Sequence, residues 1–115
     1  MAGLKYYNKQ VNKSVTEGQR KKLMMLGIFS VNLDEVIDDL RIRHRIVIYN
    51  SVAPYVDPTK DDGTILFRFT AKRCHEKGYN FREILGQSIQ TPDIYVAKRQ
   101  AIAWAIDYLI KKRKK

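Results

Sequence analysis

The chain has 115 residues, 44% hydrophobic and 10% aromatic, and carries 22 Lys and Arg against 12 Asp and Glu for a net charge of +10. This length makes one domain able to bury roughly 65–70% of its unfolded surface, the hydrophobic and aromatic content is that of a globular rather than a disordered chain, and one cysteine, Cys74, excludes an internal disulfide framework. No apolar run approaches the roughly 20 residues of a spanning helix and the first residues lack the apolar segment of a secretory signal, so no membrane partner is expected, and the single cysteine suits a reducing location.

The positive charge sits at the two ends. Residues 1–22 carry +5 and residues 98–115 carry +6, which leaves −1 for the middle. Residues 1–13 are polar and basic without a clear period and read as an arm. Ser14-Val15-Thr16-Glu17 has capping-box spacing and predicts a helix over 15–26, with Leu23 and Leu26 inward and Gly27 at a left-handed stop. Gly18 weakens that helix by about 1 kcal/mol relative to alanine. Asn32 caps a second helix with Asp34 and Glu35 in its first turn, where the helix dipole favours acid. Leu33, Val36, Ile37 and Leu40 form its apolar stripe, and Arg41 and Arg43 suit its C-terminal end.

The period then changes from helical to alternating. Residues 45–49 are β-branched and aromatic and predict a strand with Ile46 and Ile48 on one face. Residues 53–63 hold two prolines and Asp61-Asp62-Gly63, a loop. Residues 64–70 predict a second strand alternating through Ile65, Phe67 and Phe69, paired with the first as a hairpin. For residues 79–89 a short helix capped at Asn80 and holding Phe81, Ile84 and Leu85 is the preferred expectation, with a third strand as the alternative. Thr91-Pro92-Asp93 predicts a helix start with Thr91 as N-cap. Ile94, Ala97, Ala101, Trp104 and Tyr108 recur at steps of three and four, and Ile102, Ala105, Ile106 and Leu109 widen the stripe. The expected fold is therefore α+β, a small single domain over 14–110: two N-terminal helices, a β-hairpin or three strands, and a long C-terminal helix packed on them. An arm (1–13) and a basic tail (111–115) flank it.

No catalytic, cofactor or metal site is assigned. Cys74-His75-Glu76 falls short of the roughly four ligands zinc needs, because His44 is the one other histidine and no second cysteine exists. Asp34, Glu35, Asp38 and Asp39 read as dipole complements at a helix start rather than acid–base pairs. The glycines form no phosphate-cradling cluster, so an enzyme is not expected. The terminal cations have a clearer physical use. Lys111, Lys112, Arg113, Lys114 and Lys115, assisted by Lys98, Arg99, Lys5 and Lys9, can neutralise phosphates of DNA or RNA and release counterions. Tyr6 and Tyr7 stand among cations, which suits stacking beside phosphate contact. A winged helix-turn-helix is disfavoured because its recognition helix would carry Asp34, Glu35, Asp38 and Asp39 towards phosphates. A double-stranded-RNA-binding domain is an architectural analogy, since IQTPDIYV stands where a glycine-and-lysine signature belongs. Trp104 and Tyr108, on the broad apolar helix face, are the candidate interface to a second copy or another protein.

In order and pattern, LMMLGIFSVNLDEVIDDLRIRHRIVIY, TILFRFTAKRC and TPDIYVAKRQAIAWAIDYLI resemble small uncharacterised proteins of phages and mobile elements of Bacteroides-type bacteria. The likeness covers about residues 23–110. It implies a phage-related context and a non-catalytic α+β fold, and supplies no site residues. The closing helix departs from that pattern in lacking acids beyond Asp93 early on, and in its heavier basic end.

Overall fold

A computed structural model describes residues 13–52, 55–56, 59–60, 63–74 and 81–113. Lys5, Lys9, Lys114 and Lys115, with nearly all of the arm, lie outside the described residues.

Helix α1 spans Glu17–Met25 and starts two residues later than the sequence predicts. The capping box is made by Thr16 and Gln19: the Thr16 hydroxyl accepts from Gln19 N at 3.1 Å, and the Gln19 side chain accepts from Thr16 N at 3.2 Å. Ser14 lies outside the box: its backbone forms a β-bridge with Asn32, flanked by Val15 N to Val31 O and Leu33 N to Lys13 O, and the chain turns helical only after Thr16. Glu17, freed from the box, pairs with Arg20 at 2.9 Å, and that guanidinium holds its carboxyl below the usual range. The helix ends as a Schellman motif. Ile28 N donates to Leu23 O and Gly27 N to Met24 O, with Gly27 at φ 83°. Leu23 and Ile28 are both buried, the apolar contact that accompanies this motif.

Helix α2 spans Leu33–His44 and is capped as expected by Asn32, whose side-chain oxygen accepts from Asp34 N and Glu35 N. Leu33, Val36 and Leu40 are buried, and Arg45 closes the helix at φ 59°. Strand β1 (Ile46–Asn50) leads into a connection holding a small antiparallel ribbon of β2 (Tyr55–Val56) and β3 (Ile65–Leu66). Strands β4 (Phe69–Cys74) and β5 (Phe81–Gln87) complete an antiparallel sheet in the order β1-β4-β5. Ile48 lies opposite Ala71, and Thr70 opposite Gln87.

Two expectations are corrected here. The second strand begins to pair with the first at Phe69 rather than at Thr64, because Ile65 and Leu66 belong to the ribbon and Phe67 bridges Thr91. Residues 81–87 are strand, not helix. A helix there would leave the second side of β4 without its ladder of backbone hydrogen bonds, a larger cost than the local preference of Asn80 to Glu83 for a cap.

Helix α3 spans Ile94–Arg113, about 30 Å of helix. Its cap is Asp93, which accepts from Tyr95 N at 3.0 Å and Val96 N at 3.2 Å, in place of the predicted Thr91. Thr91 is held extended, exchanging backbone hydrogen bonds with Phe67 at 2.8 and 3.0 Å, and its hydroxyl accepts from Asp93 N. Ala97, Ala101, Ile102, Ala105, Ile106 and Leu109 are buried, so the small residues at steps of four let α3 lie close across the sheet. With Leu23, Leu33, Val36, Leu40, Ile46, Ile48 and Ala71 they form one core between the sheet and three helices.

Candidate nucleic-acid interface

Helices α1 and α3 run side by side in the same direction. At one end the Gln19 side chain donates to Arg99 O at 2.9 Å. At the other the Arg113 guanidinium donates to Met25 O. His44, the last residue of α2, places Nε2 3.3 Å from Leu26 O, where the Nε2–H tautomer donates. The C-terminal ends of all three helices therefore meet. Between them opens a cavity of about 470 Å³ lined by Met25, Leu26, His44, Leu109, Lys112 and Arg113.

Each of these ends carries cations: Lys22 on α1, Arg41 and Arg43 on α2, and Lys111, Lys112 and Arg113 on α3. Whether the surface is positive depends on what opposes them. Three helix C-termini contribute roughly −1.5 elementary charges together. Asp38 and Asp39 stand 4.0 and 3.9 Å from Arg41 and Arg43. Six cations against these terms leave a surplus of roughly two to three positive charges, before Lys21 on the adjoining turn is counted. Among the described residues, Lys21, Lys22, Lys111 and Lys112 make no salt bridge, and all four are exposed.

The structure separates the predicted cations into two groups. Lys111, Lys112 and Arg113 are the last turn of α3, not a tail that follows it. Lys98 and Arg99 lie about four turns earlier, roughly 20 Å along the axis. Both are engaged inside the fold. Lys98 Nζ is 2.7 Å from Asp34 Oδ1 with its side chain 15% exposed, and Arg99 Nε donates to Ser14 O at 3.0 Å. They tie α3 to the start of α2 and to the bridge preceding α1.

Trp104 and Tyr108 also come together, in a second groove of about 290 Å³ with Glu83, Ile84, Leu85, Asp107 and Lys111. Trp104 is 46% exposed, lies flat on Gly86, and donates from Nε1 to Gln87 O at 3.0 Å. Arg73, paired with Glu83 at 2.7 Å, stands 5.9 Å from the Tyr108 ring centroid. Most of the α3 stripe is spent in the core, so the outward apolar surface is this groove rather than a whole helix face. Cys74 is buried in the sheet, while His75 and Glu76 lie outside the described residues. No described helix is long and apolar enough to cross a membrane.

Residues that sequence reasoning did not assign to the site are Lys21, Lys22, Met25, Arg41, Arg43 and His44. Their signal was a repeated one: cations or histidine close each helix, in RKKLMM, RIRH and KKR. Repetition alone did not say that the three ends share one place. No protein-family model, curated protein or solved structure matches this chain.

Proposed function

We propose that this protein binds nucleic acid without sequence preference, through phosphate contacts at the surface where the three helix ends meet. The observation that carries the reading is that three helix ends meet, each with cations in its last turn (Lys22; Arg41 and Arg43; Lys111, Lys112 and Arg113), and that Lys112 and Arg113 line the cavity between them. Cations that merely complement their own helix dipoles would serve as well if scattered. Clustered, they raise the local potential and the number of counterions a polyanion displaces. The role is that of a non-enzymatic accessory protein. The pattern resemblance favours a phage or mobile-element setting, in the host cytoplasm or within a virion.

The test is a fluorescence-anisotropy titration of a labelled oligonucleotide at several salt concentrations. Lys21, Lys22, Lys111 and Lys112 are changed together to Gln, because truncation would also remove the Arg113 contact to Met25. The expected result is a log–log salt slope shallower by about 0.7–0.9 for each phosphate that is no longer neutralised. Equal affinity and slope in the wild-type and substituted proteins would contradict the reading.

A second reading is supported by the half-exposed Trp104 beside Ile84 and Tyr108: an adaptor that docks another protein, or a second copy, at that groove. Light scattering that gives a dimer mass, reduced to monomer by Trp104→Gln, would favour it. A monomer mass at high concentration would remove the second-copy form.

A further inference from the structure

Phosphate contact needs cations and amide donors; it does not need apolar surface. Yet Met25, Leu26 and Leu109 line the cavity between the helix ends, and Met25 is 66% exposed beside it. Two flat side chains stand in the same wall, and α1 holds both. His44 is anchored on the Leu26 carbonyl and Arg113 on the Met25 carbonyl. Imidazole and guanidinium planes are surfaces on which unpaired bases stack. Each has a backbone carbonyl partner before any ligand arrives, which lowers the ordering cost of a stacked complex. Lys112 stands at the same cavity with no salt bridge among the described residues. At about 470 Å³ the space falls within the roughly 300–1,000 Å³ of small-molecule sites, suited to one nucleoside rather than to a duplex groove.

Resting on the reading that this end binds nucleic acid, we infer that the cavity receives one unstacked base of a single strand. The base stacks against His44 and Arg113 over Met25 and Leu109, and Lys112 meets an adjoining phosphate. A duplex keeps its base faces covered and cannot make this contact, whereas a single strand offers them. The protein is then a single-strand binder whose affinity combines phosphate neutralisation with one base-dependent contact.

The experiment uses the full chain and three labelled probes of equal length: a thymidine oligonucleotide, an abasic strand with the same phosphates, and a duplex. The thymidine strand is expected to bind roughly tenfold tighter than the abasic strand, the scale of one stacked base. His44→Ala is expected to remove most of that difference, so that the substituted protein binds the thymidine and abasic strands almost equally. The probe comparison is made on the wild-type protein, so it stands even if His44→Ala unfolds. Equal affinity for thymidine and abasic strands overturns the base-binding inference while leaving phosphate binding in place. Binding to none of the probes overturns both.

Discussion

Trp104 rests on Gly86 so closely that a Cβ built there would lie 2.1–2.5 Å from the indole ring. Gly86→Ala must displace the indole from the Gln87 carbonyl, and an overpacked contact of this kind costs about 1–3 kcal/mol. Urea unfolding reads the loss. The emission of the chain's one tryptophan shifts in the folded state as the indole moves towards water. Thr16→Ala should cost about 1 kcal/mol, since the Thr16 hydroxyl, not that of Ser14, caps α1. Glu17 gives a pH dependence of defined sign. Its carboxyl is held below the usual range by the Arg20 hydrogen bond and charge, so its contribution is present above the ordinary carboxylate pKa and lost as pH falls through the lowered value. Both side chains are exposed, so Glu17→Gln should flatten the acid limb of stability only slightly. At this scale the sequence was legible in residue types and less so in positions. Both misplaced caps, Ser14 and Thr91, are residues whose backbones are taken by isolated bridges to distant segments, Asn32 and Phe67. Bridging alone does not bar a cap, since Asn32 shares the Ser14 bridge and still caps α2; local spacing leaves Ser14 and Thr16, and Thr91 and Asp93, as rivals, and each helix start moves two residues onward.

At the scale of elements, the stripe of α3 was readable because 3.6-residue periodicity needs no knowledge of the partner. The buried Ala97, Ala101, Ala105, Ile102, Ile106 and Leu109 all come from that stripe. Ala101 is fully buried where α3 crosses the sheet, so Ala101→Leu should destabilise by about 1–3 kcal/mol in chemical denaturation, with no gain from its added hydrophobicity. Residues 81–87 were not readable in the same way. Ile84 and Leu85 are adjacent apolar residues compatible with either period, and the deciding influence is the unpaired side of β4. A register irregularity at Ala71 and Lys72, opposite Gly86 and Ile84, further breaks the alternation that would have marked a strand.

For the whole molecule, the proposed function depends on where the cations are brought, more than on how many there are. Net charge pointed to Lys111, Lys112 and Arg113 directly, but their company at the ends of α1 and α2 follows only from the parallel packing of α1 on α3 and the His44 contact to Leu26. Lys98 illustrates the converse. It was grouped with the basic end by sequence proximity, and folding places it against Asp34 instead. Lys98→Gln should therefore leave the salt slope of oligonucleotide binding nearly unchanged, whereas Lys112→Gln should reduce it by about 0.7–0.9. The most direct measurement is a ¹H–¹⁵N NMR titration of the full chain with a short thymidine oligonucleotide. The account predicts amide shifts concentrated at residues 22–27, 43–45 and 109–113. Shifts centred on Ile84 and Trp104, or on Asp34 and Lys98, with those three segments silent, would contradict it.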